Sequence, residues 1–294
     1  MLLLIILTGC GRSHDSKQTT SDTAELEVQY SKYLNMASYG WEPYSSSCDG
    51  LLFASLSAVA VNRQFDIEAA RNPETGQWFR KPLGEYNATP CSSTISRDMF
   101  LGVFIYALHF QRLDLLQDIS RYGQENGWIM GQESKMFETR VIFTPATRAL
   151  LAQLIENLGG ANTDIGELIP IPINTDPGFV SHLGMLQLLM LGKIQGNLTE
   201  MQLDSLRAIL KHSANNPLAQ ALYHKYTDGD QSVATRLLLD TWPKDRLPTS
   251  ADWCEEWRLQ RSDSDAGFLP CNNKELKHSG ADFLFAAGII LGHI

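Results

Sequence analysis

The sequence predicts an all-α domain arranged as a two-layer helical ring, or toroid, either closed or partial. Three observations carry that prediction. Four segments are apolar almost without a break, around Leu51–Val61, Met99–Phe110, Phe179–Leu191 and Phe283–Leu291, and a helix that is hydrophobic on every side must be buried. Between them lie segments with apolar residues on one face only, such as Leu113–Gln124 and Thr199–His212, which suit an outer layer facing water. No run of paired strands and no fixed-period repeat is apparent, so sheet and common solenoid architectures are excluded. The same composition would serve an irregular helical bundle.

Taken in order, the chain begins with an apolar run, Met1 to Leu7, too short to span a bilayer and ending in small residues before Cys10. Leu7-Thr8-Gly9-Cys10 resembles the lipobox of bacterial lipoproteins, in which the cysteine carries lipid and becomes the mature N-terminus. That resemblance implies a signal peptide over 1–9, a lipidated Cys10 followed by a polar tether to residue 23, and one helical domain over 24–294. It also implies attachment to the membrane through lipid. Gly11 in place of Asp after the cysteine points to an outer-membrane destination, facing the periplasm or the cell surface.

The domain opens with a helix of mixed polarity over Ala24–Ser38, then a loop through Trp41 and Tyr44 into the first apolar helix. A more polar helix is expected over Phe65–Arg71. Residues Asn72–Pro90 hold three prolines and two glycines and read as a long loop containing Gly76-Gln-Trp-Phe-Arg-Lys-Pro82. The second apolar helix follows Ser96-Arg97-Asp98, and its amphipathic partner begins at Leu113. Glu125–Gly131 reads as a glycine-punctuated loop and Phe137–Phe143 as a short extended crossing.

Pro145 at a first turn and Gly159-Gly160 at the other end punctuate a helix between them. Asp176-Pro177 is expected to cap the third apolar helix, Asn216-Pro217 to open a shorter one, and Ser279 with Asp282 to cap the last. Gly102, Gly184 and Gly288 sit inside apolar helices at a cost of about 1 kcal/mol each relative to Ala, which close approach of another segment would explain.

In a ring of helical hairpins the inner helices run the same way and their amino ends meet at one mouth. Each apolar helix here carries a carboxylate at or near that end: Asp49, Asp98, Asp176 and Asp282. Asp also serves as a helix cap that complements the dipole, so a shared cleft is required before these acids imply chemistry. Two carboxylates in one cleft would separate in pKa, as acid–base work requires.

Acidic amino ends on apolar helices, with aromatic-rich loops, give the chain a loose architectural resemblance to the (α/α) toroid glycoside hydrolases and polysaccharide lyases. The resemblance implies an envelope-anchored carbohydrate-active enzyme. Asp98 and Asp282 would be acid and base or nucleophile, and Asp49 and Arg97 the orienting groups. Trp78, Trp128, Trp253, Trp257 and His278 would contact sugar. Arg97 is the group that could neutralise a uronate in a lyase. A non-catalytic lipoprotein presenting a surface to a glycan or an envelope protein is the competing expectation.

The net charge of -9 and the lack of a basic stripe argue against nucleic acid as a partner. No phosphate-cradling glycine motif and no Gly-x-Ser-x-Gly occurs, and no cofactor is expected. Beyond Cys10 there are Cys48, Cys91, Cys254 and Cys271, an even count that favours disulfides in an exported chain. Three pairings are formally possible, and the most local, Cys48 with Cys91 and Cys254 with Cys271, is expected. Their spacing does not suit zinc.

Overall fold

The computed structural model describes residues 15–36, 48–134, 139–161, 171–227, 229–241 and 280–294. They form α1 (Asp15–Met36), α2 (Gly50–Ala60), α3 (Leu83–Ala88), α4 (Arg97–Phe110) and α5 (Leu113–Glu125). A two-stranded sheet of β1 (Ile129–Ser134) and β2 (Thr139–Ile142) follows. Then come α6 (Pro145–Asn157), α7 (Phe179–Gln195), α8 (Glu200–Leu210), α9 (Pro217–Tyr226), α10 (Gln231–Thr241) and α11 (Ala281–Ile290). The fold is all-α, and no helix among the described residues is long and apolar enough to cross a membrane.

The direction of each helix follows from what its ends touch. At the carboxyl end of α4, His109 Nε2 lies 3.0 Å from Asn62 Oδ1 just beyond α2, and the Tyr106 hydroxyl donates to the Phe65 carbonyl at 2.9 Å. At the other end Gly102 of α4 faces Leu52, the third residue of α2, so the two helices are parallel. Tyr30 of α1 donates to the Ala60 carbonyl and its ring lies 5.1 Å from that of His293, which places the end of α11 beside the end of α2. Lys225 Nζ donates to the Ile294 carbonyl at 3.0 Å, and Tyr226 donates to the Leu189 carbonyl at 3.4 Å. The carboxyl ends of α9, α7 and α11 therefore meet as well.

These parallel helices pack in the cyclic order α2, α4, α7, α9, α11 and back to α2. A sixth, α6, runs the same way behind α4 and α7. Its first turn adjoins Ser96 and Arg97, and Gly160 beyond its end adjoins Leu113 at the start of α5. The amphipathic helices α5, α8 and α10 and the mixed-polarity α1 return in the opposite sense on the outside. The ring is filled by side chains: every residue of α2 and Ala281–Ile289 of α11 are buried. Fully burying one Leu or Phe there contributes about 1.5–3 kcal/mol.

Gly102, Gly184 and Gly288, inside the apolar helices, all mark close approaches. A Cβ on Gly102 would stand 3.0 Å from the Leu52 Cα and carbonyl oxygen, so this glycine sets the spacing of α2 and α4. One on Gly184 would collide with the Asn174 carbonyl, and one on Gly288 would stand 2.8 Å from the Ile294 side chain. The last two accommodate neighbouring chain rather than another helix.

Several boundaries differ from the sequence expectation. α1 runs Asp15–Met36 and Asp22 pairs with Arg236 at 3.2 Å, so residues 15–23 of the segment expected to be a tether are helical and joined to α10. Only Ile67–Ala70 of the expected Phe65–Arg71 helix is helical, as a single 3-10 turn. The long loop contains α3, and the loop at Glu125–Gly131 runs into β1, which pairs antiparallel with β2.

The residue ahead of α7 is Gly178 rather than Asp176, and the residue ahead of α11 is Gly280 in a left-handed conformation (φ 76); Ser279 lies outside the described residues. By contrast Thr144, Thr199 and Asn216 cap α6, α8 and α9 through their side chains. Thr199 and Gln202 form a reciprocal capping box.

Candidate functional site

The amino ends of α2 and α4 are fastened together by the segment between them. Cys48 and Cys91 form a disulfide with Cα atoms 5.8 Å apart, which joins the approach to α2 to the approach to α4. The Arg80 carbonyl accepts from Leu51 N–H at 2.7 Å, and Arg80 N–H donates to the Thr94 carbonyl at 2.9 Å. The backbone of Arg80 thus satisfies a first-turn donor of α2, a task commonly left to a capping side chain.

That leaves the Asp49 carboxylate available for another partner. It makes no side-chain cap bond; its Oδ1 accepts from Arg80 Nη1 at 2.9 Å. The same guanidinium donates to the Cys48 carbonyl at 2.9 Å and through Nε to Ser93 Oγ at 2.6 Å. Burial pushes the Asp49 carboxyl above the ordinary carboxylate range, the charge of Asp98 pushes it the same way, and Arg80 pulls it back. Asp49 therefore feels the charge of Asp98 as well as that of Arg80.

Arg97 is exposed and belongs to a separate small pocket. That pocket is about 230 Å³ and is lined by Ser96, Arg97, Arg140, Val141, Ile142 and Thr144. The hairpin is held there by Thr94, whose N–H donates to the Gln132 carbonyl and whose hydroxyl oxygen accepts from Gln132 N–H, both at 2.8 Å. Gly131 makes the approach feasible, since a Cβ there would run into the Thr94 hydroxyl and the Ile95 side chain. Because Gln132 pairs with Arg140, the contact delivers Arg140 to the start of α4.

The remaining expected residues are distributed otherwise. Asp282 is 2% exposed, and its Oδ1 accepts from the Phe283 N–H at 2.8 Å in the first turn of α11. It is part of the helix start rather than of an open cleft. Asp176 is exposed ahead of α7.

Trp78 is 1% exposed and lies in the core, so it offers no face to a sugar. An antiparallel bridge between Arg71 and Trp78 folds the glycine- and proline-rich segment back and turns this ring inward. Trp128 is half-buried; its ring stacks on Phe143 at 6.4 Å and lies under the Arg148 guanidinium at 5.4 Å. Trp78 is thus a core ring rather than the sugar platform expected from sequence, and Trp128 packs against Phe143 and Arg148. Trp41, Tyr44, Trp253, Trp257, His278, Cys10, Cys254 and Cys271 lie outside the described residues.

Arg80 and Arg140 were not legible as site residues. In sequence Arg80 stands in a long proline- and glycine-rich loop and Arg140 in a short extended crossing. The available signal was the coincidence of a basic residue with segments flanking helix starts.

At the opposite pole the helices end on basic groups. Burial, then the nearby charge of Lys193, lowers the His109 pKa to about 4. Burial lowers Lys193 and Lys225 as well, and Lys225 repels Lys193 further. Near this end a groove of about 930 Å³ runs between α6, α7 and α8, lined by Ile171, Ile173, Leu191, Ile194 and Met201 among others. Among the described residues no cluster of His, Cys, Asp and Glu is arranged to hold a metal ion. Comparison of the chain with family models, with curated proteins and with solved structures finds no match.

Proposed function

We propose that the protein is a carbohydrate-active enzyme, glycoside hydrolase-like or polysaccharide lyase-like, working at the amino-end mouth of its helical ring. The observation that supports this reading is the Asp49 carboxyl, held by Arg80 at 2.9 Å and raised in pKa by burial and then by the charge of Asp98. In hydrolysis Asp49 protonates the leaving glycosidic oxygen, and Asp98 removes a proton from the water that attacks the anomeric carbon. Arg80 holds Asp49 in place through its fixed bonds to Cys48 and Ser93. Asp49 takes over the role expected of Asp282.

The lipobox-like peptide at Cys10 supports a lipid-anchored place in the cell envelope, at the outer membrane. A specific observation also favours a second reading, a non-catalytic envelope module. Trp78 and Trp128 are spent on the core, while the groove between α6, α7 and α8 presents apolar surface with the Met201 side chain 66% exposed.

A panel of neutral and acidic polysaccharides, with wild type beside Asp49→Asn, Asp98→Asn and Asp282→Asn, separates the two. The enzyme reading expects turnover that falls at least about 100-fold in Asp49→Asn and Asp98→Asn. Binding without turnover in every protein would leave the module.

A further inference from the structure

We infer that the pocket between α4 and the hairpin is an oxyanion subsite, and that its ligand is the carboxylate of an acidic sugar. The first part stands on the pocket itself; the second rests on the glycan reading above. Two guanidiniums, Arg97 and Arg140, line one cavity, and among the described residues neither has a carboxylate partner. Two like charges on one small cavity repel each other, in a chain whose net charge is -9 and which has acids to spare. Of the other described arginines, Arg71, Arg80, Arg112, Arg121, Arg207 and Arg236 are ion-paired, and Arg63 and Arg148 lie over the rings of Phe65 and Trp128.

Two further features point the same way. The Ser96 hydroxyl oxygen is buried and has no hydrogen-bond partner, and Ser96 belongs to the pocket lining. It is also the N-cap residue of α4 and makes no cap bond, so the first-turn N–H groups of a 14-residue helix are left without that side-chain acceptor. Thr144 on the opposite wall is the N-cap of α6. The space, about 230 Å³, holds about seven waters at ~30 Å³ each, enough for a planar carboxylate and the sugar carbon that bears it. Arginine forks suit such a group in a way that a lysine would not.

The subsite is also correctly placed for the proposed chemistry. Arg97 and Asp98 are consecutive in the first turn of α4, so they leave the axis about 100° apart. One faces the anion pocket and the other the Asp49 environment. A chain that lays a uronate against Arg97 and Arg140 thereby brings its neighbouring glycosidic bond to the carboxylate pair.

Calorimetric titration of the full chain with inorganic sulfate, with a glucuronate-containing oligosaccharide and with its neutral glucose counterpart tests this directly. Both anions are expected to bind with an affinity that falls as salt rises, the neutral sugar at least tenfold more weakly. Arg97→Gln and Arg140→Gln should each weaken anion binding tenfold or more, whereas Arg207→Gln on the outer face of α8 should not. Equal affinity of wild type and both pocket variants, each with unchanged helical circular dichroism, overturns the subsite. Sulfate binding without glucuronate binding overturns the identification of the ligand. Asp98→Asn separates this inference from the enzyme reading: turnover lost with anion binding kept supports both. Arginine-dependent binding with no turnover in wild type keeps the pocket and removes the catalysis.

Discussion

The two poles of the helical ring are built from the same six parallel helices and handle charge in opposite ways. At the amino pole Asp49, Asp98, Arg80, Arg97 and Arg140 form pairs and a polar pocket, so charge is kept and organised. At the carboxyl pole His109, Lys193 and Lys225 sit where helix dipoles favour cations, yet all three are shifted toward their neutral forms. Desolvation outweighs a dipole contribution of about 0.3–1 kcal/mol, and among the described residues no Asp or Glu carboxylate is paired with these groups to offset their burial. The comparison teaches that aligned helix ends do not by themselves make a site. What distinguishes the mouth is the loop and hairpin that carry counter-charges to it.

Severing the disulfide should harm the amino pole most. Its two cysteines are 43 residues apart, and removing such a bridge costs about 2–4 kcal/mol. Urea unfolding of Cys91→Ser against oxidised wild type should show that loss, and a change below about 1 kcal/mol would mean that Arg80 alone holds the two helix starts together.

Next in size is Gly102→Ala, which forces α2 and α4 apart at Leu52 and should cost about 1–3 kcal/mol by the same measurement. An unchanged midpoint would show that the helices slide at no cost and that the mouth is not rigid.

At the other pole, His109 has a folded pKa of about 4 against an ordinary 6.5, so the unfolded chain binds more protons between those values. Stability is then complete above about pH 6.5 and is lost as pH falls toward 4. Allowing for solvent screening, His109→Gln should flatten that acid limb by about 1 kcal/mol, read from melts across the range. A variant whose acid limb matched wild type would remove His109 from the account.

The smallest effect is expected from Asp49→Asn. A carboxyl with a raised folded pKa adds most to stability below its unfolded value and progressively less as pH rises through the folded one. Asn mimics the neutral form, so the variant should gain a few tenths of a kcal/mol at neutral pH relative to pH 4. A loss of stability at neutral pH would mean that the bond to Arg80 dominates.

The four buried helices were legible because their residues are apolar on every face, a property that requires burial wherever the chain places them. Gly102 was legible for a related reason, being an unfavourable helix residue kept where a backbone must approach. The Cys48–Cys91 pairing followed from proximity in the chain.

What escaped was everything decided by tertiary contact. Trp78 stands among prolines and glycines and reads as a surface ring until the Arg71 bridge turns it inward. β1 looked like a loop because Gly131, which weakens a strand, is there to let Thr94 and Ile95 come close. Asp282 and Asp49 looked alike in sequence, and only the neighbours tell the helix-start residue from the one held by Arg80.

The Cys48–Cys91 bond also makes a covalent hoop that encloses all of α2, the 3-10 turn and α3. One exposed stretch of it is the turn at Pro73, Glu74 and Thr75. A protease cutting there opens the hoop without releasing a fragment, since both new ends stay tethered through sulfur. In an oxidising surrounding the nicked molecule keeps its inner helix in place, and a reductant then acts as the second half of the cut.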